Sequence, residues 1–331
     1  MRAFLFRNGF LFGLLSVVGL AAWIPEFGGS SEASIATIRR IGVCLIFFNQ
    51  GVLLPGEALR RGLVEWRLHG VTQLSTYVLF PLVTLVGLWI LSPVLSQVEL
   101  RTGFLYLAFL PTTISSAVVL TSAAEGNVSG ALFNCTFSSV IGVFLTPLLC
   151  VGVLGTGGGT ELGALGEILG SVAVTILLPL AVGQGLRPFV GAVFTARKGW
   201  VRTFNNGVIL FIVWAAFRRS FVEEVWSRVS TADMMFTILG VTWIWIGVSG
   251  VIWWSSGRIR MERASRIAAL YCGGQKTLAV GLPLAAVIFG EAHAALSLIL
   301  IPLLMYHPLQ LVLGGWLAPR LRSGHRRVRG I

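Results

Sequence analysis

The residues best suited to binding or proton transfer interrupt an apolar segment, ALYCGGQKTLAVGLPLA, at positions 269–285. Two glycines are followed there by three polar residues, and the five interrupting positions are Gly273, Gly274, Gln275, Lys276 and Thr277. Glycines loosen a helix, and polar groups inside a bilayer need partners that lipid cannot supply. A primary amine in this place can bind an anion, donate to backbone carbonyls or carry a proton.

Lys276 is the one lysine or arginine predicted to lie deep in a membrane span, and all 13 acidic residues fall in loops or at span ends. A charge at that depth costs about 2.5 to 3.5 kcal/mol on insertion scales, so we expect the side chain to have a use. Three arrangements are open: an uncharged amine, an ammonium bonded to backbone carbonyls, or an ammonium facing an anionic substrate. Snorkelling to the interface is the alternative, but roughly 18 Å of helix separates Lys276 from the cytoplasmic end near Ala264.

A second interruption lies in AFLPTTISSAVVLTSAAEGN, at positions 108–127. Its proline, Pro111, is followed by four hydroxyl side chains: Thr112, Thr113, Ser115 and Ser116. Proline removes a backbone donor and clashes with the preceding turn, so the carbonyls before it need other partners. Two helices broken at matching places predict a binding site near the bilayer midplane, with helix N-termini for an anion and exposed carbonyls for a cation. A packing kink, with hydroxyls bonded to their own helix, is the alternative.

Polar residues in two other apolar segments could line the same site. They are Gln73 and Thr76 in one segment, and Asn134 and Thr136 in another. Hydrogen bonding between packed membrane helices is an equally ordinary role for such side chains.

The composition is that of a membrane protein. Of 331 residues, 55% are hydrophobic and 11% are charged, about half the charged share of an average soluble domain. Apolar blocks long enough to cross a bilayer as helices recur along the chain, which predicts an all-α polytopic protein with ten spans: 9–28, 40–56, 69–92, 102–123, 128–152, 164–186, 205–222, 234–255, 264–290 and 293–317.

The net charge of +12 does not indicate nucleic-acid binding, because the basic residues lie in the short connections between apolar blocks. With ten spans and the N-terminus inside, 18 of the lysines and arginines are interior and 6 are exterior. This asymmetry predicts that both termini are cytoplasmic, in a protein of the bacterial inner membrane.

Short sequence echoes predict an internal repeat. GVCLIFF at 42–48 is matched by GVILFIV at 207–213, and FLTPLL at 144–149 by LIPLLM at 300–305. Two units of five spans, about 9–152 and 164–317, must enter the membrane in opposite senses because five is odd. Chance similarity of leucine-rich sequence is the alternative.

These segments together resemble a known family. GVCLIFFNQGVLL, EGNVSGALFN, VWAAFRRSF and YCGGQKTLAVGLPLA are similar to the bile acid:sodium symporter superfamily, and within it to bacterial proteins that look like the seventh human member. The resemblance implies two inverted repeats, a panel of spans 1, 2, 6 and 7, and a core of spans 3 to 5 and 8 to 10. It also implies that spans 4 and 9 are discontinuous and cross, and that an organic anion is taken up with two sodium ions.

Carried over by motif, the family's ion sites fall on polar positions in spans 3, 4, 5 and 9: Thr76, Ser115, Ser116, Cys135, Thr136, Cys272, Gln275 and Lys276. The chain departs from the family at Cys272, where the sodium-dependent branch has glutamate, and near Lys276, where it has glutamine. Sodium prefers oxygen ligands, and an ammonium would repel it. We therefore hypothesise that Lys276 replaces a sodium ion, with transport either proton-coupled or uncoupled. A sodium site at Ser115, Ser116, Thr136 and Gln275 is the alternative, and no other cofactor is expected.

The sequence thus predicts a secondary transporter of a small organic anion that works by alternating access. A membrane protein that binds a ligand for regulation without transporting it is the alternative. Paired carboxylates, a metal-spaced cluster, a nucleotide loop and a nucleophile elbow are not found, so an enzyme is not predicted. The expected partners are the organic anion and the lipid bilayer but no nucleic acid, and the expected state is a monomer or a weak homo-oligomer.

Overall fold

The structure is a computed structural model that describes residues 2–23, 32–54, 65–91, 93–154, 166, 170–290 and 295–322. Apart from a short 3₁₀ turn at Val225–Arg228, the regular elements of these residues are helices, and no strand occurs among them. The helices are α1 (Arg2–Trp23), α2 (Glu32–Leu53), α3 (Trp66–Leu91), α4 (Val98–Phe109), α5 (Ile114–Ala123), α6 (Val128–Leu154), α7 (Gly170–Ala196), α8 (Lys198–Val222), α9 (Thr231–Arg258), α10 (Arg263–Gly274), α11 (Leu278–Ile288) and α12 (Leu296–Arg322).

Seven of these helices are long and apolar enough to cross a membrane, namely α2, α3, α6, α7, α8, α9 and α12. The α4 and α5 pair passes the same test as one bent span, which makes eight. Large apolar side chains such as Trp89, Phe189 and Trp200 are exposed, as expected of helices that face lipid rather than water. All ten predicted segments overlap a helix or a pair of helices, but ten crossings and the inverted repeat remain predictions.

The two predicted interruptions are breaks in helical structure. α4 ends at Phe109 and α5 begins at Ile114, and the two are bent by 63°. α10 ends at Gly274, and Gln275 opens the three-residue gap before α11. The glycines therefore close the first half-helix, and the polar residues that follow form the break itself.

The described helices cluster into two compact units. One unit comprises residues 1–54, 151–230 and 279–300, so it contains α1, α2, α7, α8 and most of α11. The other comprises residues 55–150, 231–278 and 301–331, and it contains α3, α4, α5, α9, α10 and most of α6 and α12. Both interruptions lie in the second unit. Whether panel and core move as the family resemblance implies stays a prediction.

Glycines allow α2 and α7 to pack with their backbones in close approach. A Cβ atom added at Gly183 would lie 2.2 Å from the carbonyl oxygen of Phe48, and one added at Gly51 would lie 2.2 Å from that of Leu180. Neither backbone can yield without moving a helix, so the pairing requires glycine at both positions.

This packing gives a prediction with an internal control. We expect Gly183→Ala to lower the free energy of unfolding by about 1 to 3 kcal/mol, because the new methyl group overpacks the α2 contact. Gly185→Ala, two residues along the same helix, has no atom within 4 Å of the added Cβ. Its thermal melting temperature should be unchanged or slightly raised, and equal losses in the two variants would contradict the packing argument.

Candidate functional site

The side chain of Lys276 is the centre of the site. It is fully buried, and its Nζ donates to the carbonyl oxygens of Thr76 at 2.9 Å, Ala108 at 2.7 Å and Leu110 at 2.6 Å. The centroid of the Phe80 ring lies 4.2 Å from Nζ, within the range of a cation–π interaction. The sequence allowed three arrangements of the Lys276 amine, and in the structure it is bonded to backbone carbonyls.

The carbonyls are available because α4 ends at Phe109, two residues before Pro111. Its last carbonyls accept from outside the helix: Ala108 and Leu110 from Lys276 Nζ, and Phe109 from Thr146 Oγ1 at 2.7 Å. The carbonyl of Pro111 accepts from the amide of Thr277 at 3.1 Å, so the two breaks are joined directly. Every carbonyl from 108 to 111 thus has a partner, as a buried helix end requires.

The carbonyl of the third acceptor, Thr76, is freed from helical hydrogen bonding by a π-helical turn at Ser75–Leu79 within α3. In this register the amide of Phe80 donates to the carbonyl of Ser75, five residues back. The next residue, Pro81, has no N–H, so the carbonyl of Thr76 loses its backbone partner and accepts from Lys276 instead. The sequence signal was Pro81 within an otherwise regular span, but proline alone does not reveal a π turn.

The electrostatics of this arrangement favour a cation. The C-terminal end of a helix carries partial negative charge, and Lys276 Nζ lies at that end of α4. An ammonium has three N–H donors, which matches the three carbonyl acceptors, whereas a neutral amine has two. Within the described part of the chain, none of the hydrogen bonds of Nζ goes to a carboxylate.

The backbone of Lys276 is fixed by α12. Gln310 accepts from the Lys276 amide at 2.8 Å and donates to the Lys276 carbonyl at 2.9 Å, which closes a two-bond clamp. The hydroxyl of Tyr306 donates to the carbonyl of Gly274 at 2.5 Å, at the end of α10. Sequence reasoning missed both residues, although their spacing of four places them on one helix face.

Loss of the clamp should be measurable. We expect Gln310→Leu to lower the free energy of unfolding by about 1 to 3 kcal/mol, because it leaves the amide of Lys276 without a partner in a buried place. Gln184→Leu is the control, since the side-chain oxygen of Gln184 has no hydrogen-bond partner among the described residues. Chemical or thermal unfolding of the two purified variants in the same detergent gives the comparison, and equal stability would rule out the clamp.

The other predicted site residues form three smaller groups in the same unit. Ser116 donates to Gln275 at 2.7 Å, across the two broken helices. The sulfur atoms of Cys135 and Cys272 are 3.5 Å apart, and both thiols are buried. Gln73 donates to the carbonyl of Asn134 at 3.3 Å, which is an ordinary interhelical bond.

The remaining predicted residues are placed differently. Thr112 is buried and its amide donates to Ser138 Oγ at 3.3 Å, while Thr113 precedes the first turn of α5. Thr136 is buried, whereas Ser115 is exposed. In the described ranges no hydrogen bond joins Thr136 or Ser115 to the Ser116 and Gln275 pair, so the suggested sodium ligands are not gathered by direct contacts.

Comparison with known proteins gives matches along nearly the whole chain. Residues 8–323 match the SBF-like CPA transporter family. YfeH of Escherichia coli is 32% identical over 326 residues, which cover 97% of this chain and 95% of YfeH. Sodium/bile acid cotransporter 7 of Danio rerio is 31% identical over 327 residues, covering 96% and 94%, and that of Mus musculus is 30% identical over 321 residues, covering 96% and 93%.

Proposed function

The chain belongs to the SBF-like CPA transporter family and is a multi-pass membrane transporter, and from this premise we propose that it moves a small organic anion without sodium coupling. The observation that carries the proposal is the set of three carbonyls bonded to Lys276 Nζ. These oxygens are the kind of ligand that an alkali cation takes, and the ammonium already satisfies them. Lys276 therefore acts as a tethered cation that cannot leave with the substrate.

A tethered ammonium changes the transport cycle. A bound sodium ion must enter and leave in each cycle, so its gradient drives uptake, whereas a fixed cation neutralises the broken helix permanently. Deprotonation of Lys276 would leave one of its three carbonyls without a donor, which costs free energy in a buried place. We propose that Lys276 stays protonated and that the solute gradient drives exchange.

The anionic group of the substrate is proposed to bind at the start of α5. The first amides of a helix have no intrahelical partner, and the helix dipole makes this end positive. Thr113, which precedes α5, makes no side-chain capping bond to those amides. Ser115 is exposed in the first turn, and the neighbouring Ser116 is held by Gln275. This group therefore offers donors for an oxyanion close to the two breaks.

The finer topology belongs to the same proposal. We infer ten crossings in two inverted repeats, with a panel rocking against a core, because helices or helix pairs overlap all ten predicted segments. The distribution of arginine and lysine further supports cytoplasmic termini in a bacterial inner membrane.

Counterflow in proteoliposomes tests the proposal. The purified chain is reconstituted with unlabelled taurocholate or benzoate inside, and entry of the same labelled anion is followed in sodium or potassium buffers of equal ionic strength. We expect exchange with at least one anion at equal rates in both buffers and with no acceleration by a pH gradient. A steep increase with inward sodium would overturn sodium independence, and binding without exchange would indicate a regulatory protein instead.

A further inference from the structure

A polar cavity lies within the compact unit that does not contain Lys276. Its volume is about 200 Å³, and it is bounded by α2, α7 and α11. The lining residues all belong to that one unit, and they are Arg39, Arg40, Val43, Ser171, Thr175, Ala286, Val287 and Gly290.

The chemistry of the lining is that of an oxyanion site. Arg39 is 5% exposed and lies two turns into α2, a helix long and apolar enough to span the membrane. Arginine is rarely buried to this degree in folded proteins, so its place beside a cavity needs an explanation. Arg40 adds a second positive charge, Ser171 and Thr175 add hydroxyl groups, and none of the described lining residues is acidic. A planar guanidinium binds carboxylate and phosphate groups through two parallel hydrogen bonds.

The backbone of α7 is irregular at the same place. Thr175 lies in a π-helical turn at Ala173–Leu177, and Pro179 follows it. In α3, Pro81 likewise lies two residues after the end of the π-helical turn at Ser75–Leu79. That turn leaves the carbonyl of Thr76 free to accept from Lys276. Single π turns occur frequently at functional sites, so this irregularity supports the cavity independently of its charge.

We propose that this cavity binds the oxyanion group of an organic anion or of an anionic lipid, with Arg39 as its main ligand. Arg40 contributes a second charge, and the hydroxyls of Ser171 and Thr175 complete the hydrogen bonding. The site is distinct from the start of α5, and it stands whether or not that helix binds the transported solute.

The test uses three aromatic probes that differ in charge, of which benzoate and benzamide also have the same shape. Phenyl phosphate, benzoate and neutral benzamide are titrated into the purified full-length protein in a neutral detergent, and dissociation constants are taken from calorimetry. We expect the two anions to bind and benzamide not to bind. Arg39→Gln should weaken phenyl phosphate binding at least about tenfold, the effect of losing one charge-assisted hydrogen bond.

Two further variants distinguish the loss of a binding group from misfolding of the protein. Arg39→Lys keeps the charge but loses the paired geometry, so its affinity should fall between those of the wild type and Arg39→Gln. Arg202→Gln removes an exposed arginine of α8 in the same unit and should bind as the wild type does. Unchanged affinity in both Arg39 variants, or equal binding of benzamide, would overturn the proposal.

A competition experiment identifies the source of the oxyanion. Phenyl phosphate binding is measured in nanodiscs of phosphatidylcholine and in nanodiscs that also contain phosphatidylglycerol. If phosphatidylglycerol weakens phenyl phosphate binding to the wild type, and this difference between the membranes disappears in Arg39→Gln, a lipid headgroup occupies the cavity. Equal binding in the two membranes supports a soluble anion.

Discussion

Replacing Lys276 by methionine is expected to abolish counterflow and to lower the free energy of unfolding by about 3 to 5 kcal/mol. Methionine is unbranched and only one atom shorter than lysine, so it retains most of the packing but removes the three donors of Nζ. The carbonyls of Thr76, Ala108 and Leu110 would then be buried without partners at the end of a broken helix. Counterflow of the labelled anion and thermal melting in the same detergent measure the two effects.

The chain provides a matched control, since Lys198 is its only other lysine. Lys198 is exposed at the start of α8, so Lys198→Met should exchange and melt as the wild type does. Lys276→Arg retains the charge but has a larger, planar head, and we expect it to fold with reduced exchange. Full exchange by Lys276→Met would show that the tethered cation has no role in transport.

The double substitution Cys272→Glu with Lys276→Gln is expected to give sodium-dependent stability and exchange. The family resemblance places glutamate and glutamine at or near these positions in the sodium-dependent branch. The glutamine removes the ammonium from the carbonyls, and the glutamate supplies an oxygen ligand and a negative charge. At a sodium concentration ten times the dissociation constant, binding should stabilise the folded state by about 1.4 kcal/mol.

Melting temperatures in sodium chloride and potassium chloride of equal ionic strength test this gain. The wild type should show no difference between the salts, and Cys272→Glu alone should show none while the ammonium stays in place. If the double variant melts at the same temperature in both salts although it is folded, Lys276 does not occupy a former sodium site.

The places where helices break follow from the sequence alone. Pro111 has no N–H and cannot continue a helix, whereas Gly273 and Gly274 weaken one before three polar residues. These are local effects of backbone chemistry, and the structure has breaks at both places. The sequence also predicted that Lys276 is shielded from water within an apolar segment, and its side chain is buried.

The partners of Lys276 could not be obtained in this way. Its acceptors come from two other helices, 166 to 200 residues away along the chain, and their orientation depends on a π turn and a proline in α3. Gln310 and Phe80 were missed because their roles exist only once α12 and α3 pack against the break. Ser115 is exposed, and its role as an ion ligand stays a prediction.

The sequence by itself determined that the chain is helical and membrane-embedded, that it breaks at two places, and that one amine lies deep in an apolar segment. These properties depend on each residue's own backbone and solvation, which are fixed before any packing occurs. Only the tertiary structure decided which carbonyls accept hydrogen bonds from that amine. It also decided that Arg39 lines a cavity, because both outcomes depend on the packing of helices that are distant in sequence.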